Sequence, residues 1–382
     1  MKAHIKYFLL IILFLLKVKI SLANETIKIG LLAPFSGEFE YIGKSVIGST
    51  KMALEKIDNN NIYILPRDTK ADNLETIKKV EELYVEGVRI FIGPVFNKCL
   101  NGLEKYQDAI FLSLTNKILN NPKNVIAAGI NAISQIKTII KFQKLSNLER
   151  SIFLIPDSSF KKEIKEAIKN TNIQLKDIFI YDTDPTLLTA QIEKLTRYPQ
   201  RKQRLEDEIQ RLKESEEINK ETKISNLEKK DTLGGINFDS VIIADFDESL
   251  KSVTTSLLYT DVSSKRVHYI CMNQWFDESL LKEKSLQPIY FPSVNKENYE
   301  EYINEYINTF KKYPNQISFL SYDIIGLVYF LLFQNDFEVD KKIFYKKNKF
   351  KGKIGFFEIK ENKISHILNV YKVEDNNFKK IF

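Results

Sequence analysis

The chain has 382 residues, 28% of them charged, and a formal net charge of +7. That length exceeds what one hydrophobic core usually supports and suits two lobes. Lysine and glutamate are intermixed along the whole sequence instead of arginine gathering on one face, which excludes a nucleic-acid footprint.

At the N-terminus, Lys2 and Lys6 precede the apolar run Phe8 to Leu16, and Ser21-Leu22-Ala23 puts small residues at the positions a signal peptidase reads. The run is too short for a bilayer, which needs about 20 apolar residues. Residues 1–23 are therefore expected to be a cleaved secretory signal, cut after Ala23, with Lys17 and Lys19 unusually close to the cut. Loss of its four lysines would lower the charge to +3, so the basic balance is mostly a targeting feature. No cysteine lies near the cut, which argues against a lipid anchor, and no later segment is apolar enough to span a membrane. The mature chain is expected outside the cytoplasm.

From Ile27 the pattern alternates. Ile27 to Ala33 reads as a strand broken at Pro34 and Ser36-Gly37, and a helix follows with Val46, Ile47, Met52, Ala53, Leu54 and Ile57 on its apolar face. Asn59 to Asn61 stops it. A strand at Ile62 to Pro66 leads into Asp68-Thr69, and a second helix carries Leu74, Ile77, Val80, Leu83 and Tyr84 as far as Gly87. Val88 to Ile92 then runs into Gly93-Pro94. Strands separated by helices predict parallel βαβ units, whose functional loops gather at the carboxyl ends of the strands. A helix near Leu100 to Gln107, a strand at Ala109 to Leu114 and a loop at Thr115-Asn116 continue the lobe, and Val125 to Gly129 is the first expected crossing.

These residues, namely Ile29-Gly30-Leu31-Leu32-Ala33-Pro34-Phe35-Ser36-Gly37, Gly43, Asp68-Thr69 and Glu86-Gly87-Val88 with Ile92-Gly93-Pro94, resemble the first lobe of type I periplasmic binding proteins, the branched-chain amino-acid receptor family. The resemblance implies a two-lobed α/β fold, each lobe a mostly parallel sheet flanked by helices, with three crossings between lobes. They are expected near Gly129, Phe291 and Gln334. Lobe I is then residues 24–129 and 292–334, and lobe II residues 130–291 and 335–382. A periplasmic location is implied as well.

Lobe II opens with a helix near Ser134 to Phe142 and a strand Ser151 to Ile155, then a helix Ser159 to Lys169 and a strand near Ile178 to Tyr181. Strands Ser240 to Ala244 and Val267 to Cys271 end in Asp245-Phe246-Asp247 and Asn273-Gln274-Trp275-Phe276-Asp277. Helices Tyr299 to Lys312 and Phe319 to Phe333 return to lobe I. The tail, with a turn at Glu361-Asn362, reads as two or three antiparallel strands closing the hinge. Cys99 and Cys271 fall in different lobes and are expected to be two separately buried thiols.

One segment, 196–232, interrupts the alternation. More than half of Arg197 to Asp231 is charged, with a sparse stripe at Leu205, Ile209 and Leu212 whose spacing suits a helix. It reads as a solvated helical arm inserted in lobe II, or alternatively as a docking arm whose three apolar residues stay exposed for a partner. The arm, Asp231-Thr232-Leu233-Gly234-Gly235, Phe238 to Ala244, Trp275-Phe276-Asp277 and Ser318 to Asp323 together resemble the penicillin-binding-protein activator branch of the same fold. That resemblance implies binding to a cell-wall synthase, and it ranks ahead of the alternative, a substrate-binding protein for an ABC permease that carries an amino acid or related solute.

The candidate ligand cleft comprises Ser36, Asn97, Ser113, Thr115 and Asn116 from lobe I and Phe160, Asp245, Gln274, Trp275 and Asp277 from lobe II. Amino-acid receptors of the family hold the ligand carboxylate on first-lobe hydroxyls and amides and its ammonium on a second-lobe acid. Here Phe160 replaces the family tyrosine, Lys161 the adjoining glycine, and Gln274-Trp275 the ammonium-binding glutamate. An unpaired ammonium in a closed cleft costs several kcal/mol, so free leucine, isoleucine or valine is expected to bind poorly.

Other chemistry finds no constellation. After the signal the histidines are His268 and His366, neither with a second ligand at metal spacing, so no metal is expected. Gly43-Lys44-Ser45 follows Gly37 one residue too far off for a phosphate loop, and no Gly-x-Ser-x-Gly is present. No cofactor and no enzymatic activity are expected.

Overall fold

A computed structural model describes residues 26–59, 61–360 and 362–382. The expected secretory signal, Asn60 and Glu361 of the expected tail turn lie outside the described residues.

Lobe I begins as β1 (Ile27–Ala33), α1 (Glu40–Ile57), β2 (Ile62–Asp68), α2 (Asn73–Val85), β3 (Ile90–Ile92), β4 (Ile110–Ser113) and β5 (Val125–Ala127). β1 pairs in parallel with both β2 and β3, and β3 with β4 and β4 with β5 continue the parallel run. α1 lies close on the loop after β1: a Cβ at Gly43 would meet the Pro34 carbonyl oxygen at 1.9 Å, so only glycine fits. The helix expected at Leu100 to Gln107 is instead two short 3₁₀ turns, Asn97–Leu100 and Leu103–Lys105, parted by Gly102 at φ 91.

Lobe II is built from α3 (Ala132–Leu145), β6 (Ser151–Pro156), α4 (Lys161–Thr171), β7 (Asp177–Tyr181), α5 (Pro185–Thr196), β8 (Ser240–Ile243), α8 (Asp247–Tyr259), β9 (His268–Cys271) and β10 (Ile289–Ser293). Two arm helices, α6 (Tyr198–Glu214) and α7 (Lys220–Leu227), intervene after α5. A four-residue helix α9 (Ser279–Lys282) follows β9. The chain passes back at Val294-Asn295 into α10 (Lys296–Phe310) and α11 (Phe319–Gln334), whose Tyr302, Tyr306, Phe319 and Leu332 join the lobe I core.

The tail departs from expectation. β11 (Asn348–Lys351), β12 (Phe356–Lys360) and β13 (Lys363–His366) extend the first sheet, and only β14 (Asn369–Glu374) and β15 (Asn377–Lys380) extend the second. The first sheet runs β11-β12-β13-β5-β4-β3-β1-β2 and the second β15-β14-β10-β9-β8-β6-β7. The third crossing therefore falls at 367–368, not near Gln334. β13 lies parallel to β5, with Lys363 opposite Ala127, and Phe350, Phe357, Ile359 and Ile364 are buried in the lobe I core. Cys99 and Cys271 are both buried free thiols. Among the described residues no helix is long and apolar enough to cross a membrane.

The arm is helical, but its stripe is not exposed. Leu205 and Leu212 are 6% and 2% accessible and Ile209 is half-buried, as α6 packs against its neighbours α5 and α7. The expectation that the surrounding charges leave them open fails for that reason. At the root of the arm, the buried Arg201 donates to the Thr260 carbonyl at 3.0 Å, the Thr232 hydroxyl at 2.6 Å and the Asp261 carboxylate at 3.2 Å, fastening α6 to lobe II.

Candidate functional site

Loops at the carboxyl ends of strands from both sheets enclose a cavity of about 520 Å³ between the lobes. Val95 to Lys98 follow β3, Leu114 to Lys117 follow β4, and Gln316, Ile317 and Leu320 come from the start of α11. The hinge contributes Gly129 and Ile130. Lobe II contributes Gln135 from α3, Phe246 after β8, and Asn273 and Trp275 after β9.

The hinge packs tightly on the first-lobe loop. The Gly129 N–H donates to the Thr115 carbonyl at 2.9 Å, and a Cβ at Gly129 would sit 2.6 Å from that oxygen and from the Asn116 nitrogen. Asn131 ties the passage down, its amide donating to the Ile364 carbonyl at 2.7 Å while its carbonyl oxygen caps α3 at the Ser134 N–H. The loop beyond Asn116 reaches across to lobe II. Ile118 packs with Phe160 on the lobe II core, and the Ile118 N–H donates to Glu163 of α4 at 2.8 Å. Burial pushes the Glu163 pKa up, against the pull of the Ile118 and Leu119 amides and the nearby Lys117 charge.

Of the ten residues expected in the cleft, Asn97, Thr115, Asn116 and Trp275 line the cavity. The other six do not line it. Ser36 donates to Asp68 at 2.5 Å, and the Phe35 and Lys70 amides donate to the same carboxylate. Burial raises the Asp68 pKa, but these hydrogen bonds outweigh it and keep the group below the ordinary carboxylate range. Ser113 is fully buried and donates to the Pro94 carbonyl at 2.7 Å. Phe160 stands at the start of α4 facing Phe246, and Lys161 pairs with Asp157. Asp245 accepts from the Tyr181 hydroxyl at 2.6 Å and from the Phe246 N–H, and burial pushes its pKa up. Gln274 donates to the Asp245 and Met272 carbonyls, while Asp277 accepts from the backbone and hydroxyl of Ser279 just ahead of α9.

Lining residues absent from the sequence expectation include Phe96, Lys98, Lys117, Gln135, Phe246 and Asn273. Asn273 is the best built of them. Its side-chain oxygen accepts from the Trp275 N–H at 3.0 Å and the Ser293 hydroxyl at 2.9 Å, and its backbone N–H donates to Gln135 at 2.8 Å. Trp275 and Phe276 both adopt left-handed backbone, φ 50 and 58, which is strained for bulky side chains. Their rings are wedged against both lobes, Trp275 near Tyr299 and Phe319 and Phe276 near Tyr371 and Phe378.

Two parallel-dominated sheets with helices on their faces, three passages between them and a cavity at the strand ends make this a type I periplasmic-binding-protein fold. Residues 26–174 match the family model described as periplasmic binding protein. No curated protein matches the chain. Among solved structures, it is similar to a putative branched-chain amino acid ABC transporter from Rhodospirillum rubrum, at 11% identity over 93% of this chain and 100% of that one, with a TM-score of 0.68. It is also similar to the C-domain of LpoA from Haemophilus influenzae, a regulator of PBP1A, at 12% identity over 93% and 100% of the two chains, TM-score 0.60. A third similar structure is an ABC-transporter solute binding protein from R. palustris in complex with 4-hydroxybenzoate, at 13% identity over 94% and 96%, TM-score 0.58. At such identities the likeness is one of fold.

Proposed function

We propose that this protein is a non-enzymatic, exported solute-binding protein that takes a small molecule between its lobes and presents it to an ABC permease. The observation that carries the proposal is the cavity of about 520 Å³ at the strand ends, in the size range of small-molecule sites and lined by aromatic rings and a few convergent polar groups. The similar solute-binding proteins support it at the level of fold. A regulator of a cell-wall synthase is the second reading, supported by the inserted arm and by the likeness to the LpoA domain. It falls behind because Leu205 and Leu212, the stripe that a partner would have gripped, are turned inward.

Thermal-shift screening of residues 24–382 against amino acids and small carboxylates tests the first reading, with capture of purified cell-wall synthase as the counter-experiment. A ligand at 100 times its Kd is expected to add about 2.7 kcal/mol. A silent broad panel together with stoichiometric synthase binding would reverse the ranking. Export is tested separately by the N-terminal residue of the secreted protein, expected to be Asn24.

A further inference from the structure

Resting on the solute-binding reading, we infer that the ligand is an anion without an ammonium group, a carboxylate on a flat apolar body, rather than a zwitterionic amino acid. The charged side chains lining the cavity are Lys98 and Lys117, and no carboxylate joins them among the described residues. Three acids beside the lining loops are hydrogen-bonded within the protein. Glu163 accepts the Ile118 N–H, Asp245 the Tyr181 hydroxyl and Phe246 N–H, and Asp277 both donors of Ser279. Glu163 also shares the field of Lys117. Lys98 lies 6.0 Å from the Phe96 ring centre and forms no ion pair among the described residues. Among the lining residues a ligand ammonium would therefore meet two cations and dipoles but no carboxylate.

Asn273 supplies the second, independent observation. It is 4% accessible and lines the cavity, and its side-chain oxygen is fully used by Trp275 and Ser293. The orientation is thereby fixed, and the NH₂ group is left as a donor with no protein partner among the described residues. The NH₂ group keeps solvent access on a residue that lines the cavity, so it is free to donate to an acceptor on the ligand. Around it, Phe96, Phe246 and Trp275 give the cavity aromatic walls, and Trp275 keeps its position through a strained backbone and its packing on Tyr299 and Phe319. Rings on the walls with donors and cations between them fit a planar carboxylate.

The test is calorimetric titration of residues 24–382 with 4-hydroxybenzoate, its neutral counterpart 4-hydroxybenzyl alcohol, L-phenylalanine and L-leucine. The carboxylate is expected to bind, and the other three to bind at least about tenfold more weakly. Asn273→Asp keeps the acceptor for Trp275 and Ser293 but replaces the NH₂ donor with an anion. It should weaken carboxylate binding by about tenfold or more with little loss of folding, whereas Lys117→Met should weaken it less and flatten its salt dependence. Leucine or phenylalanine binding as tightly as the carboxylate would overturn the inference while leaving the solute-binding reading intact, and equal binding of the alcohol would overturn the anionic requirement. If all four probes are silent the inference falls. The receptor reading then falls with it only if the broad solute panel is silent too.

Discussion

The two walls of the cleft are built on different principles. The first-lobe wall presents Lys98, Asn116 and Lys117 on exposed loop positions, whose backbone is held by short-range bonds such as Lys117 N–H to the Thr115 hydroxyl at 3.2 Å. The second-lobe wall is a buried lattice in which Gln135, Asn273, Gln274, Asp245 and Tyr181 bond to one another and to the strand ends. The difference teaches that a polar loop residue at a strand end can serve the ligand or the loop, and that burial separates the two roles. Removing a buried acceptor orphans its donors, whereas an exposed group returns to water.

The largest effect expected from this contrast is that of Asn273→Ala. Two buried donors, the Trp275 N–H and the Ser293 hydroxyl, lose their acceptor, and urea unfolding should report a loss of about 3 kcal/mol. A loss below about 0.5 kcal/mol would show that the second wall is not load-sharing at all. Next comes a pH effect at the hinge between the walls. His366 is half-buried with Nε2 2.8 Å from the Ala128 carbonyl oxygen, and desolvation pushes its pKa down to about 4 from 6.5. The folded state thus binds fewer protons than the unfolded chain between those values, so stability is full above pH 6.5 and falls as the pH drops toward 4. Asp323 acts in the opposite sense, since burial pushes it up to about 7 and its share of stability declines as the pH rises from 3.8. The comparison of wild type with His366→Gln isolates the histidine: the wild type should lose about 2 kcal/mol more than the variant on going from pH 7 to pH 4. Parallel curves would remove it. The smallest effect belongs to the first wall, where Asn116→Ala and Lys117→Ala should each change stability by less than about 0.5 kcal/mol. A larger change would place those side chains in the scaffold.

The alternation of strands and helices was legible because βαβ units need apolar runs of characteristic length, and Ile27–Ala33 and Ser240–Ile243 carry them plainly. Which sheet a late strand joins was not. The segment at Lys363–His366 alternates like any strand, but its neighbour is Ala127, more than two hundred residues away, and nothing local encodes that partner. Around the cavity, some of the expected loop residues line it and others do not. Asn273 and Gln274 are adjacent and equally polar, and the left-handed turn at Trp275 and Phe276 breaks the period-2 rule that would assign their faces. The arm shows the same limit. The charge density between Arg197 and Asp231 identified a solvated insertion, but α7, which packs against α6, is a short helix with no buried residue of its own and a weak apolar pattern.

The late crossing also bears on when the chain can fold. β13 completes the first sheet beside β5, and β14 completes the second beside β10, so both lobes wait for residues within the last twenty of the sequence. Neither sheet is complete without them, in contrast to chains whose N-terminal domain folds first. Pairings across such long separations are slow to form. Segments far apart in sequence must therefore meet before either sheet is finished.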